Sequence, residues 1–231
     1  MADEIAEQLI AAEKLEDAAK RLEDVLASHE DPGLRLRLAS ILFRSGKLGD
    51  ALVHARRSAE VESEHRAEAV LLAAFCLRSL KRYRESAKMY LSYAEQFPDS
   101  PSLRLSRFSA ALCLEELDDW RGAIEIYEQI SDDEAEFRRA ICLERSGRPD
   151  ESAQIFEGFL ERFAESPEML KVRFRLGSMR MRQGRIDEAI RHLAETVRLG
   201  GDTFIGQLAT QLIEKARAKA ADTARKLKSY S

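Results

Sequence analysis

The sequence predicts an all-α protein: a right-handed superhelical α-solenoid of about six helix-turn-helix repeats, closed by a C-terminal capping helix. Three observations support this fold class. The composition suits helices, with 34% charged and 7% aromatic residues and only 5 prolines and 11 glycines among 231 residues. Apolar residues recur at spacings of three and four. Pairs of small residues also recur at a fixed distance along the chain.

The small residues define an internal repeat. In each pair the second residue lies twelve positions after the first, and successive pairs begin 29 to 37 residues apart. A period of this length is typical of stacked helical repeats. The six pairs are Ala6 with Ala18, Ala39 with Ala51, Ala74 with Ser86, Ala111 with Ala123, Ala140 with Ser152, and Gly177 with Ala189.

Each repeat has the pattern of two amphipathic helices joined by a short turn, such as "SGKLGDA" or "SGRPDES". Five repeats have a leucine three positions after the first small residue: Leu9, Leu42, Leu77, Leu114 and Leu143. In the sixth repeat Arg180 takes this position, so different packing is expected there. The second helix has a residue for the core four positions after the second small residue: Leu22, Ala55, Tyr90, Tyr127, Phe156 and Leu193.

Two stretches, "LGSMRMRQGRIDEAIRHLAETVRL" and "AALCLEELDDWRGAIEIYEQI", resemble tetratricopeptide repeats, and the resemblance covers roughly Ala2 to Leu199. It implies a bacterial-type scaffold or adaptor in which the first helix of each repeat lines a concave face. The implied solenoid spans residues 1–201, with units at about 1–31, 32–66, 67–103, 104–132, 133–169 and 170–201. Because the fourth and fifth pairs begin only 29 residues apart, a shortened helix end or linker is expected near "ISDDEAEF".

Residues 202–231 are predicted to form a capping helix and a basic tail. Thr203 is suited to cap this helix. A stripe at four-residue spacing follows it: Phe204, Leu208, Leu212, Ala216 and Ala220. A stack of repeats needs such a helix to cover its last apolar face. The tail "KARAKAADTARKLKSYS" is expected to be a solvated helix end, with a functional tail as the alternative.

All three cysteines occupy one position of the repeat. Cys76, Cys113 and Cys142 each lie two residues after the first small residue, in "AFCL", "ALCL" and "AICL". The other repeats have Gln8, Ile41 and Met179 there. Equivalent residues of stacked repeats lie about 10 Å apart, too far for a disulfide, and no histidine shares the frame to complete a zinc site. We therefore interpret the cysteines as a copied packing position.

No catalytic, cofactor or metal site is predicted. The sequence has no GxGxxG, no phosphate-binding loop and no HExxH, so we expect neither enzymatic activity nor a small-molecule substrate. The longest apolar run, "AVLLAAFCL", is about half of what a membrane-spanning helix needs. The acidic start and the odd number of cysteines favour a cytoplasmic location. A periplasmic location stays open if a signal peptide has been removed.

The first helices supply a candidate groove for a protein partner. Residues three before, one after and four after the first small residue are expected to face the concave side, with arginines on or beside these positions. The predicted partner-binding residues are Leu36, Arg37, Phe43, Arg44, Phe75, Arg78, Phe108, Leu112, Phe137, Arg138, Phe174, Arg175, Met181 and Arg182. An apolar floor with an arginine rim favours an acidic or amphipathic peptide or helix. Two alternatives stay open: the apolar residues pack on neighbouring first helices, and the arginines pair with acids there.

The resemblance also allows one binding mode of the family to be disfavoured. The mode that clamps a C-terminal carboxylate calls for asparagines and lysines in the groove, and this chain contains no asparagine. A chaperone co-factor of that kind is therefore not expected.

Charge is distributed unevenly along the chain. Residues 1–65 carry a net charge of −5 and residues 170–231 a net charge of +8. This asymmetry keeps open a homo-oligomer, in which a self-assembling scaffold joins the acidic front of one copy to the basic back of the next. Nucleic-acid binding through the Lys171–Lys228 region is a weaker alternative, because the overall net charge is −4 and aromatic residues are few.

Overall fold

The computed structural model describes residues 14–229, apart from the side chains of residues 219, 222–224 and 226–229. Over this range the chain forms twelve α-helices and no β-strand, so the all-α prediction is confirmed. The helices are α1 (Leu15–Leu26), α2 (Pro32–Arg44), α3 (Leu48–Ala59), α4 (Arg66–Ser79), α5 (Tyr83–Gln96), α6 (Leu103–Glu115), α7 (Trp120–Tyr127), α8 (Asp133–Arg145), α9 (Pro149–Arg162), α10 (Met169–Arg182), α11 (Ile186–Gly200) and α12 (Phe204–Ser229). Ala6, Gln8 and Leu9 of the first repeat lie outside the described residues.

The described helices form two compact units, with the division between Ile126 and Tyr127. In the first unit α2 pairs with α3 and α4 pairs with α5, while α3 packs on α4, α5 on α6 and α2 on α4. In the second unit α8 pairs with α9 and α10 with α11, and α9 packs on α10. Each unit is thus a stack of hairpins in which helices cover the apolar faces of their neighbours in sequence.

The hairpin turns repeat one hydrogen-bonded design. In the second to sixth pairs, the backbone five positions before the second small residue has a positive φ: at Gly46, Lys81, Asp118, Gly147 and Gly184. The next N–H donates to the carbonyl five residues back, as from Lys47 to Leu42 and from Arg148 to Leu143, at 2.9 Å in both cases. This is the bond pattern of a Schellman motif, which satisfies carbonyls that the helix end leaves without a partner.

The paired small residues lie where the two helices of a hairpin meet. The described members, from Ala18 to Ala189, are buried. Where the second member is serine, its hydroxyl bridges the hairpin: Ser86 Oγ donates to the Ala74 carbonyl at 2.9 Å, and Ser152 Oγ donates to the Ala140 carbonyl at 2.7 Å. The twelve-residue spacing is therefore the spacing of two facing positions.

Arg180 is buried like the leucines of the other repeats, with 6% of its surface exposed. Its guanidinium pairs with Glu157 of α9 and lies 3.4 Å from the Glu188 carboxylate of α11. It also donates to the Gln183 side chain at 2.8 Å. The stem of the side chain fills the leucine position, and the charged end meets polar groups at the edge of the core, although its buried Nε has no hydrogen-bond partner among the described residues.

The short spacing between the fourth and fifth repeats comes from α7, which has only 8 residues. Helix α8 begins at Asp133, only a few residues later. Asp132 caps it by accepting a hydrogen bond from the Ala135 N–H at 2.9 Å. The expected shortening therefore falls on the second helix of the fourth repeat.

The three cysteines are buried and unbonded to one another. Burial raises the pKa of the Cys76 thiol to about 11 and also raises the pKa of the Cys113 thiol. Cys113 Sγ lies 3.4 Å from Ser86 Oγ, inside the hairpin stack. Thiols that are covered and protonated in this way serve packing rather than redox chemistry.

Helix α12 packs on both α10 and α11, the arrangement expected of a capping helix. Thr203 caps its start, accepting a hydrogen bond from the Gly206 N–H at 3.3 Å. Gly206 is buried so closely that a Cβ there would lie 2.3 Å from the Gly201 carbonyl oxygen. This contact sets which face of α12 turns inward.

The predicted apolar stripe of α12 is only partly correct. Ala216 is buried and Leu208 and Leu212 are half-buried, but Ala220 is exposed. Phe204 is 74% exposed, so its predicted place on the covering face is wrong. The buried face instead holds the small residues Gly206, Ala209 and Ala216, because close packing against the preceding hairpin leaves no room for a ring.

Candidate protein-binding cleft

The second unit contains a cleft of ≈ 540 Å³ lined by α8, α10 and the start of α12. We call it the α8/α10 cleft. It is open to solvent, and both α8 and α10 are first helices of successive hairpins. Its volume falls in the range of sites that take up side chains or small ligands, about 300–1,000 Å³.

Apolar side chains form the floor of the α8/α10 cleft. Phe137 and Ile141 lie one turn apart on α8, Phe174 lies on α10, and Ile205 is contributed by α12. All four are half-buried. Phe137 is held from behind by Phe156 of the core, with the ring centroids 5.9 Å apart. The Phe137 ring is therefore held in place by the core, while part of the apolar surface of the floor stays accessible to a ligand.

Basic side chains form the rim: Arg138 on α8, and Lys171, Arg175 and Arg182 on α10. Lys171 Nζ lies 5.8 Å from the centroid of the Phe137 ring, so a cation stands directly over the apolar floor. The same ammonium donates to Glu168 at 2.9 Å. Arg182 is the most exposed of these four side chains, with 61% of its surface accessible.

One carboxylate, that of Glu144, lies among these cations. Its Oε2 accepts a hydrogen bond from Arg175 Nη1 at 3.0 Å, and its Oε1 accepts one from Arg182 Nη2 at 2.6 Å. Four cations and a single carboxylate line the cleft, so its surface is net positive. The alternative in which groove arginines pair with acids on neighbouring helices holds for Arg175 and Arg182.

The structure brings together five of the six residues that the sequence indicated in the second unit. Phe137, Arg138, Phe174, Arg175 and Arg182 line the α8/α10 cleft. Met181 is half-buried on α10 and does not belong to the lining. The spacing rule also pointed to Ile141, Glu144 and Ser178, which all line the cleft.

Sequence reasoning missed two lining residues, Lys171 and Ile205. Lys171 precedes the positions that the repeat spacing marks, although it opens the basic stretch "KVRFRLGSMRMRQGR". Ile205 comes from the capping helix, whose orientation depends on the close contact of Gly206 with Gly201. Only the basic stretch could have signalled Lys171, and no sequence pattern marks Ile205.

The predicted residues of the first unit occupy several environments. Leu36 and Arg37 line a separate cleft of ≈ 600 Å³, together with Ser40 and His65. Phe43 packs against the core, and Arg44 is exposed. These residues do not form a continuous floor with a basic rim.

The remaining aromatic positions of the first unit serve packing. Phe75 meets Tyr90 edge to face, with centroids 5.6 Å apart. Phe108 is 7% exposed, and the Arg104 guanidinium lies 4.9 Å from its ring centroid. Arg78 and Leu112 are half-buried. The alternative in which floor residues pack within the stack applies to Phe75 and Phe108.

Within residues 14–229, no group of three or more His, Cys, Asp or Glu side chains is arranged to hold a metal ion. Over the same range, no helix has both the length and the apolar character needed to cross a bilayer.

Comparison with known proteins identifies the repeat. A model described as tetratricopeptide repeat matches residues 4–60, 36–101 and 137–202, and a second tetratricopeptide repeat model matches residues 106–133. A search of curated proteins found no significant match.

Several solved structures share the fold. A MamA structure, residues 41 to the end, from Desulfovibrio magneticus RS-1 is 15% identical with a TM-score of 0.60 and covers 76% of this chain and 99% of its own. YrrB, described as a TPR protein with an unusual peptide-binding site, is 18% identical with a TM-score of 0.61, covering 84% of this chain and 99% of its own. The Naa15/Naa10 complex bound to HypK-THB has a chain that is 16% identical with a TM-score of 0.61, covering 99% of this chain and 35% of its own.

At these identities the likeness shows the fold, an all-α helical-repeat solenoid. The family models, in contrast, match the sequence itself over well more than half of its length. The chain belongs to the tetratricopeptide repeat family.

Proposed function

We propose that this protein is a non-catalytic adaptor or scaffold that binds an acidic, amphipathic segment of a partner protein in the α8/α10 cleft. The observation that carries the proposal is the combination of an apolar floor with a basic rim within one cleft. An amphipathic helix presents apolar side chains at every third or fourth position, and these would contact Phe137, Ile141 and Phe174. Acidic residues flanking that stripe would reach Arg138 and Lys171 on the rim.

The division of labour between floor and rim follows from their physical chemistry. Removing the half-buried aromatic surface from water supplies most of the binding free energy. The cations contribute orientation, partner choice and a faster encounter with an acidic segment. YrrB, which shares the fold, is described as having a peptide-binding site, and this supports a peptide ligand for the present chain.

The proposal is tested by fluorescence anisotropy with a labelled 16-residue amphipathic peptide that carries leucine on one face and glutamate on the other. Phe174→Ala removes part of the floor, and Arg138→Glu reverses one charge of the rim. Each is expected to weaken binding by roughly tenfold or more, as loss of a central contact does. Arg191→Glu, an equal charge reversal at an exposed position of α11, is the matched control and should bind like the unaltered protein.

Two results would contradict the proposal. One is equal affinity for a peptide in which every glutamate is replaced by lysine. The other is unchanged binding by both cleft variants while they remain folded, as judged by circular dichroism.

A further inference from the structure

We propose that Glu144 is an internal competitor for the acidic ligand. Its carboxylate occupies the space between Arg175 and Arg182 that a ligand carboxylate would otherwise take, so the cleft selects segments with several acidic residues over those with one. This inference rests on the proposed function of the α8/α10 cleft.

The geometry places the carboxylate where the two guanidiniums converge. Arg175 and Arg182 lie seven residues apart on α10, which is two helical turns and puts them on one face. Each donates to a different oxygen of Glu144, at 3.0 Å and 2.6 Å. The Glu144 side chain is only 20% exposed, whereas the arginines are 39% and 61% exposed. The carboxylate is therefore the covered member of the cluster, and the cations surround it on the solvent side.

The charge of this cluster sets what a ligand encounters. Two guanidiniums and one carboxylate leave a single net positive charge, where the arginines alone would present two. A third cation of the rim is also paired with a carboxylate, because Lys171 donates to Glu168, whose side chain is 18% exposed. A ligand with one carboxylate therefore gains little electrostatic binding free energy. A ligand with several carboxylates contacts several of these partly neutralised cations at once, and the small gains add up.

The Glu144 ion pairs are also exposed enough for a ligand carboxylate to compete with them. Arg180, on the same helix, is 8% exposed at its side chain and pairs with Glu157 and Glu188 in the edge of the core. The Glu144 pairs instead lie at solvent-exposed arginines, where an ion pair stabilises a protein only weakly. Each guanidinium has five N–H donors, so donors are left for a ligand carboxylate beside the resident one.

The test measures affinity of the full chain for the 16-residue glutamate-leucine peptide and for a version with a single glutamate, at low and high salt. Glu144→Gln removes the resident charge and keeps the shape of the side chain. We expect roughly fivefold tighter binding of both peptides, with the larger gain for the single-glutamate peptide, and a steeper loss of binding with salt. Glu165→Gln, at an exposed residue of the turn before α10, is the matched control for net charge and should change neither affinity.

A double-mutant cycle with Arg182→Gln locates the effect. If Glu144 acts by occupying this arginine, the gain from Glu144→Gln shrinks in the Arg182→Gln background. Unchanged or weaker binding by Glu144→Gln, with the unaltered protein still binding the glutamate peptide, overturns the competitor role and leaves the proposed function standing. Absence of binding by both proteins overturns both.

Discussion

At the scale of single residues, the hairpin turns show where this sequence departs from its own pattern. Five equivalent turn positions have a positive φ, and three of them are glycine. The other two are Lys81 and Asp118, and Lys81 has a φ of 59°, although a left-handed conformation costs a residue with a Cβ about 1–2 kcal/mol.

Replacement of Lys81 by glycine is therefore expected to stabilise the protein. Relief of the backbone cost is partly offset by the greater freedom of glycine in the unfolded chain, so a gain of about 0.5–1 kcal/mol is expected in the free energy of unfolding. Urea denaturation followed by circular dichroism measures it. Lys81→Ala, which loses the same charge and keeps the Cβ, should give no such gain; an equal gain would place the effect in the charge instead.

Arg180 gives a second prediction, because it replaces the leucine of the other repeats with a buried ion-paired group. Arg180→Leu is expected to leave the free energy of unfolding unchanged or to raise it, since an apolar residue avoids the cost of burying a charge. Arg180→Ala should instead lower it by about 2 kcal/mol or more, because the stem leaves a cavity and the acids around it lose their partner. Equal losses in both variants would show that the ion pairs, rather than the filled volume, stabilise this position.

The residues of the α8/α10 cleft show how much of the site the sequence can predict. The repeat spacing placed Phe137, Phe174, Arg138, Arg175 and Arg182 at the face where the cleft occurs, because equivalent positions in a repeat share an environment. It did not show that Phe108 is covered by Arg104 or that Glu144 holds two arginines. The first contact is between side chains one turn apart on α6, and the second joins α8 to α10. The repeat pattern fixes only which face of a helix a residue lies on, and not such side-chain contacts.

At the scale of helices, α10 and α11 approach each other closely at Gly177. Gly177 is the first small residue of that hairpin, and a Cβ added to it would lie 2.6 Å from Leu193 Cγ and 3.2 Å from the Ala189 carbonyl oxygen. Other described hairpins accept alanine at this position. The glycine therefore reflects how closely Leu193 and the Ala189 carbonyl approach this position, and not side-chain bulk alone, since larger residues occupy the equivalent of Leu193 in hairpins that have alanine here.

Gly177→Ala is expected to lower the free energy of unfolding by about 1–3 kcal/mol through overpacking, even though alanine favours helices. In the background of Leu193→Ala, which removes the two atoms nearest to the added Cβ, the same change should cost much less. Thermal denaturation of the four proteins of this cycle measures the coupling. Additive losses would mean that the two side chains do not compete for one space.

The capping helix was the element least accessible to sequence reasoning. Its existence and its Thr203 cap were predicted, yet its inward face was assigned to the stripe that begins at Phe204. The structure selects the face with Gly206, Ala209 and Ala216, because backbone proximity at Gly201 decides the rotation of the helix. A four-residue apolar spacing cannot reveal a contact of that kind, and Ile205 reached the cleft for the same reason.

At the scale of the whole molecule, two half-buried histidines predict how stability depends on pH. Burial, with the nearby charge of Arg35, lowers the pKa of His54, and burial with Arg173 and Arg180 lowers the pKa of His192, both from 6.5. The unfolded chain then binds more protons than the folded one, so the free energy of unfolding falls as pH drops below about 6.5. The loss stops once pH has passed the folded-state values.

Acidic groups act in a lower window. The guanidinium of Arg35 lowers the pKa of Glu30, and Arg148 does the same for Glu151, so their contribution is lost only as pH falls below about 4.5. As pH is lowered from about 7.5 to 5, the urea concentration at the unfolding midpoint should therefore fall in the unaltered protein. It should fall less in the His54→Gln/His192→Gln double variant. Parallel declines would assign the effect to other groups.

The central claim is that the α8/α10 cleft binds an acidic amphipathic segment through its apolar floor and its basic rim. The most direct measurement is the affinity of the glutamate-leucine peptide for the unaltered protein, for Arg138→Glu and for the control Arg191→Glu, at two salt concentrations. The account predicts saturable binding that weakens with salt, a loss of roughly tenfold or more in Arg138→Glu, and none in Arg191→Glu. Equal affinities in all three proteins, or binding that does not respond to salt, would contradict it.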